Sequence, residues 1–267
     1  TRFVDQKSAT PDVRASMSTE QGYDEDVWQI LSSELGLTGL IIPDEFGGSG
    51  FGAIELGIVM EQFGRSLICA PYLSSCVMAS SAILIAADEE NKSRWLPSLA
   101  DGKIKAALAI SEETGSWKEA DINLVAKKQD NKFSLSGTKR FVIDAHTCDL
   151  LVVAGKSSSG ISLFALKPKQ EGVRIKLEQS MDQTRKVCCI NFDDAEAELL
   201  GTEGKSGIEE ILNFTCIALA HEMVGGAQKM LDSAVEYTKL RVQFGRTISS
   251  FQAIKHLLAD LLLEVEL

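Results

Sequence analysis

Hydrophobic positions in residues 1–104 recur at helical spacing. In 24–35, Val27, Ile30, Leu31 and Leu35 share one face and Gly36 closes the segment. In 55–63, Leu56, Val59, Met60 and Phe63 form the apolar side, with Gly64 at the end. The Ala-, Ser- and Ile-rich stretch 77–87 predicts a buried helix, and 91–99 a short last one with Trp95, Leu96 and Leu99 inward. Near Lys105 the period changes to two. Strands are predicted at 106–110, 123–129, 132–136, 138–143, 150–154, 161–166, 173–177 and 186–192, with Asp130-Asn131 as a two-residue hairpin turn. Their rough ten-residue spacing, between Gly, Ser, Asp and Pro clusters, argues an antiparallel barrel or sandwich. Helical periodicity returns over 208–239. Gly245 offers the positive φ that ends a helix; Thr247, Ser249 or Ser250 caps the next one, along which Phe251, Ile254, Leu257, Leu258 and Leu261 recur.

The fold class is therefore α+β and multidomain. Residues 1–104 form an all-α domain, 105–200 an antiparallel β-barrel and 201–267 part of a helical bundle. Helices, then strands, then helices exclude a βαβ architecture. Gly48, Gly50 and Gly52 lie in a loop between helices, without the strand that a dinucleotide fingerprint requires. The last helix is apolar along 257–267, a face that two helices alone cannot bury. Either further chain or a partner covers it.

Composition narrows the partners. Lys and Arg number 27 against 38 Asp and Glu, a net charge of −11. That disfavours nucleic acid and anionic membrane, which need concentrated cations. No apolar run reaches the roughly 18–20 residues that span a bilayer, and residues 1–14 lack the apolar core of a secretory signal. The six cysteines make no C-x-x-C pair, and with three histidines they have no zinc spacing. We read them as reduced packing residues of a cytoplasmic protein, with no metal site.

The turn at 241–252 carries Arg241, Phe244, Arg246 and Gln252, a set suited to a phosphate and a planar ring, or to a solvated helix connection. Its order, R-x-x-F-G-x-x-I-x-x-F-Q-A-I-x-x-x-L-A-D, closely resembles the acyl-CoA dehydrogenase family. The loop 43–50 and residues 61–65 resemble that family's P-E-x-x-G-G-x-G and E-x-x-G-R. The resemblance implies FAD, an acyl-CoA substrate, electron-transfer flavoprotein as electron acceptor, and a homo- or hetero-oligomer in which Arg241, Phe244 and Gln252 reach the FAD of a neighbouring protomer.

Two middle stretches correspond to the family's own flavin contacts. Residues 106–117 resemble A-x-x-x-T-E-P-x-A-G-S-D, with Ser111, Gly115 and Ser116 kept but Glu113 and Trp117 replacing the proline and aspartate. Glu112 and Glu113 repel a pyrophosphate unless they point away. Residues 137–143 resemble G-x-K-x-W-I-T, with Phe141 for the tryptophan and Ile143 for the threonine. Phe141 and Ile143 equally suit a strand whose alternate residues are simply core.

The implied reaction is α,β-dehydrogenation: a carboxylate takes the α proton while a hydride leaves the β carbon. The family's usual base falls beyond residue 267. Its alternative position falls on Thr215, beside Cys216, and neither can act as one. The catalytic base is thus unknown. Glu209, Glu210 and Glu222 read as solvated-face charges, Glu222 being an outside candidate. Asp182-Gln183-Thr184-Arg185 resembles the family branch acting on steroid-like acyl-CoAs, some of whose members pair unlike subunits; locally it reads as an Asp182–Arg185 salt bridge. Two further readings stay open: a non-catalytic partner subunit, motivated by the changes at Glu113, Trp117, Ile143 and Cys216, and a flavin monooxygenase on the same scaffold.

Overall fold

Apolar faces of six short helices converge on one core in the first hundred residues. The computed structural model describes residues 2–130 and 132–267, so Asn131 of the expected hairpin turn lies outside the described residues. The helices are α1 (Arg2–Lys7), α2 (Thr10–Met17), α3 (Glu25–Gln29), α4 (Ala53–Ser66), α5 (Ser80–Ala86) and α6 (Glu89–Ala100). A π-helical stretch, Ile30–Glu34, continues α3, and another, Tyr72–Ala79, leads into α5. Asp24 caps α3 by accepting from the Asp26 N–H, and Asp88 caps α6 through the Asn91 N–H. Trp28, Leu31, Met60 and Leu96 are fully buried between them.

Seven strands follow: β1 (Ala106–Ala109), β2 (Val125–Gln129), β3 (Lys132–Ile143), β4 (Leu150–Ser157), β5 (Gly160–Leu166), β6 (Val173–Glu178) and β7 (Val187–Leu199). Pairings β4–β2, β2–β3, β3–β7, β7–β5 and β5–β4 close a small barrel, with β1 on β4 and β6 on β7 outside the ring. The expected antiparallel barrel needs correction, because β4 runs parallel to both β1 and β2. Period-two patterning identifies a strand but not its direction; here β3 runs back antiparallel to β2, and β4, only residues 144–149 later, returns in the sense of β2. The expected separate strands 132–136 and 138–143 are one strand, with a register shift at Gly137.

Alternate residues of β1 and β4 serve two cores. Ala106, Leu108, Leu150, Val152 and Ala154 pack on the helical layer, whereas Ala107, Ala109, Leu151 and Val153 face the barrel interior with Phe164 and Ile190. Burial on both faces explains their unbroken apolar sequences. Ser75 Oγ accepts from the Ala106 N–H at 3.0 Å, and Ser74 Oγ donates to Asp144 at 2.7 Å, tying helices to barrel.

The long helix α7 (Ile208–Leu240) packs along α4. At the crossing, a Cβ on Gly64 would stand 1.9 Å from the Glu222 carbonyl oxygen, and one on Gly225 1.8 Å from that of Glu61. The two backbones touch. After α7 come β8 (Val242–Gln243) and β9 (Arg246–Thr247), a 3-10 turn and α8 (Gln252–Glu266). Leu257, Leu262 and Leu263 of α8 are exposed. Five cysteines are buried and Cys216, on α7, is exposed. Among the described residues no helix is long and apolar enough to cross a membrane, and no metal-binding cluster occurs.

Candidate functional site

The loop leaving β1 returns on itself at a narrow neck. Glu112 Oε1 accepts from the backbone N–H groups of Asn123 at 2.9 Å and Leu124 at 2.8 Å. The same oxygen accepts from Lys139 Nζ at 2.9 Å, and that ammonium also donates to the Ile110 carbonyl at 2.7 Å. Lys139 is 0% exposed. Burial lowers its ammonium to about 8, with Glu112 opposing the shift. For Glu112, burial pushes the carboxyl up, but Lys139 and the two N–H groups outweigh it and hold the group below its ordinary value. Glu113 pairs with the Arg140 guanidinium at 3.2 Å, and Arg140 also reaches Glu178 at 3.0 Å. Both loop glutamates are thus engaged by cations, and the expected repulsion of an anion is reduced at its source.

Within this loop Ser111 is buried and donates to the Ser116 carbonyl at 3.2 Å. Ser116 Oγ donates to Asp121 at 2.5 Å. Gly115 has φ +72°, and a Cβ there would meet the Phe141 ring at 3.5 Å. Phe141 lies at φ +58° and is 48% exposed. The register shift between Lys139 and Val142 turns it outward and buries Val142 in its place. That corrects the reading in which Phe141 and Ile143 alternate inward as core; Ile143 alone packs against the main core cluster. Ser111, Trp117, Phe141 and Ile143 line one small cleft with Met78 and Leu108. The Nε of Arg140, in its wall, is buried with no hydrogen-bond partner.

Arg241, Phe244 and Gln252 form a second group that does not line this cleft. Gly245 does not end the helix, as its positive φ suggested. With Phe244 (φ +52°) and Gly245 (φ +75°) both left-handed, the pair makes the two-residue turn of the β8–β9 hairpin. Nor do Thr247, Ser249 and Ser250 cap α8: Phe251 occupies that position, while Ser250 donates to the Thr247 carbonyl and Thr247 pairs with Ser249. Phe244 is 90% exposed. Its ring stands edge-on to Phe251, centroids 6.2 Å apart, and Arg246 lies 4.2 Å over the other ring. Arg241 and Gln252 are exposed, and their side chains have no partner among the described residues.

The carboxylates considered as bases are placed as follows. Thr215 is buried and its hydroxyl donates to the Ile211 carbonyl at 2.8 Å. Glu222 is only partly exposed and forms an ion pair with Arg185. Arg185 is thereby taken from Asp182, which instead accepts from the N–H and hydroxyl of Thr184 at 2.9 and 2.6 Å. The local salt bridge expected there does not form, because a longer reach gives Arg185 a less solvated carboxylate. Lys139 and Arg140 went unweighed in the sequence. The signal was the strand alternation: Lys139 shares its parity with Phe141 and Ile143, and a lysine turned inward with them requires a carboxylate partner.

The model of the acyl-CoA dehydrogenase N-terminal domain matches residues 1–103, and that of the acyl-CoA dehydrogenase C-terminal domain residues 202–267. The acyl-CoA dehydrogenase IpdE2 of Mycolicibacterium smegmatis is 30% identical over 262 residues, covering 97% of this chain and 69% of that protein. A solved Tcur3481-Tcur3483 steroid acyl-CoA dehydrogenase variant superposes with a TM-score of 0.88 at 27% identity, over 99% of this chain and 71% of that one. The ChsE4-ChsE5 complex from Mycobacterium tuberculosis gives 0.89 at 25% identity, over 99% and 71%. The chain therefore spans about two thirds of the length of the proteins it matches.

Proposed function

The chain belongs to the acyl-CoA dehydrogenase family, and on that premise we propose that it works in an FAD-dependent oligomer that dehydrogenates an acyl-CoA thioester to the enoyl-CoA. The observation that carries this reading is the connection between α7 and α8, which exposes unpartnered Arg241 just after α7, Phe244 at the tip of the β8–β9 hairpin and Gln252 at the start of α8.

The residues present fit such a cofactor. Phe141 offers a half-exposed aromatic face, Gly115 turns the loop beside it through a left-handed backbone (φ +72°), and the loop glutamates are neutralised. When bound, FAD supplies the hydride acceptor that amino-acid side chains lack. Around it, Ser111, Gly115 and Ser116 shape the loop, and Phe141 and Ile143 form the apolar floor that excludes water. Arg241 and Gln252 serve the equivalent site of a neighbouring protomer, Arg241 through its permanent charge and Phe244 through its ring. Thr215 carries no carboxylate and Glu222 is already paired with Arg185, so on this reading neither removes the α proton. Similarity to a steroid acyl-CoA dehydrogenase supports a bulky acyl group, and electron-transfer flavoprotein is the acceptor that the family implies.

A second reading has its own support. Ile143 offers no hydroxyl, Cys216 no charge, and a similar solved assembly pairs two different chains. In it, this chain completes the flavin site of an unlike subunit without doing chemistry itself. Purified full-length protein mixed with FAD, with and without added acyl-CoA esters, separates these. A flavin band that bleaches with a bulky acyl-CoA is expected. Absence of bound flavin from the protein alone, with binding restored by an unlike subunit, would favour the second reading; no flavin in either case sinks both.

A further inference from the structure

We propose that Lys139 and Glu112 are positioning residues, a buried clamp that cinches the neck of the 111–124 loop and thereby sets that loop beside Phe141. The proposal rests on the reading of Phe141 as a flavin-facing residue. One carboxylate oxygen gathers both ends of the loop. Glu112 itself stands at the entry, Asn123 and Leu124 donate to it from the exit, and Lys139 ties the group to the Ile110 carbonyl two residues earlier. The loop is also held at its ends by the Arg140 N–H, which donates to the Ser111 carbonyl at 2.9 Å, and the Lys156 N–H, which donates to the Leu124 carbonyl at 2.7 Å, and farther along by Ser206, which donates to Glu119 at 2.6 Å. This arrangement makes a compact loop whose ends are fixed, with Gly115 and Ser116 on the turn that follows Glu112.

The energetics favour a device over a packing accident. An ammonium with no exposed surface is costly to hold unless it is paired and hydrogen-bonded. A leucine at this place would fill the volume without that cost, but it would not grip a carbonyl and a carboxylate. Arg140, the next residue of β3, cannot substitute, since Glu113 and Glu178 already hold it. Glu112 is the charged group facing Lys139.

The test compares the full-length protein with its Lys139→Met variant, which keeps the length of the side chain and removes its donors. Amide hydrogen exchange without added FAD is expected to quicken at least tenfold over 111–124, while β3 and β7 amides keep their protection. FAD affinity is expected to fall at least tenfold, with a shifted flavin absorption band. In the wild type that affinity weakens as pH rises through about 8, and in the variant it is flat. Wild-type exchange in the variant overturns the clamp, as does unchanged FAD affinity with a loosened loop. Failure of the wild type itself to bind FAD overturns the flavin reading, and with it the purpose given to the clamp. Should Lys139→Met not fold, Glu112→Gln, which keeps one acceptor for the two N–H groups, is read by the same measurements.

Discussion

Glu112 and Lys139 both titrate lower in the folded chain than they do ordinarily, so both make stability rise with pH, each in its own window. The folded carboxyl of Glu112 is held below its ordinary value of 4.5. Its contribution to stability is therefore present above the unfolded value and lost as pH falls through the folded one. Urea midpoints at pH 7 and pH 4 are expected to differ less in Glu112→Gln than in the wild type. Lys139 is depressed from 10.5 to about 8, so in that window the unfolded chain holds more protons and stability rises with pH. Lys139→Met should remove that rise. Arg241 behaves differently from both, being exposed and unpartnered. Arg241→Ala is expected to move the denaturant midpoint by no more than about 0.5 kcal/mol, yet to lower FAD retention of the assembled protein at least tenfold. A large loss of stability would mean that this arginine serves its own fold.

Glycine, rather than charge, governs the helix pair. The α4–α7 crossing places Gly64 and Gly225 against carbonyl oxygens, under 2 Å from any Cβ. Gly225→Ala must push the helices apart and is expected to cost at least about 2 kcal/mol, measured by urea unfolding; an unchanged midpoint would show that the helices separate freely. This contact was not legible in the sequence, where Gly64 read as a helix end, because a crossing depends on two distant segments at once. What was legible was anything set by local periodicity: the helical start, the onset of strands near Ala106 and the 33-residue α7. Lost were features set by partners. The parallel placing of β4 depends on which strands it pairs with once β3 has turned back, the fate of Arg185 on a glutamate 37 residues away, and the outward turn of Phe141 on a bulge that period-two reasoning assumes absent. Of the candidate site, the residue identities in 111–143 and 241–252 were legible, but not the clamp that holds the loop.

At the level of the assembly, the proposed reading divides the flavin site between two places on one chain, the cleft at Phe141 and the hairpin at Phe244, which do not line the same cleft. A protein mutated at Gly115 (Gly115→Val) and another mutated at Arg241 (Arg241→Ala) should each retain little FAD. Mixed assemblies of the two are expected to recover part of it, since some sites then combine an intact cleft with an intact hairpin. Confirmed mixed assemblies with no recovery would place both halves within one protomer. Phe141 and Phe244 share one more property, a left-handed backbone at a bulky residue. Strain of this kind costs on the order of 1–3 kcal/mol each, from a total stability of only about 5–15 kcal/mol. Asparagine or glycine would adopt either torsion more cheaply and surrender the aromatic face. Selection for heat resistance alone is therefore expected to discard these two phenylalanines first, giving a sturdier protein that no longer keeps its flavin.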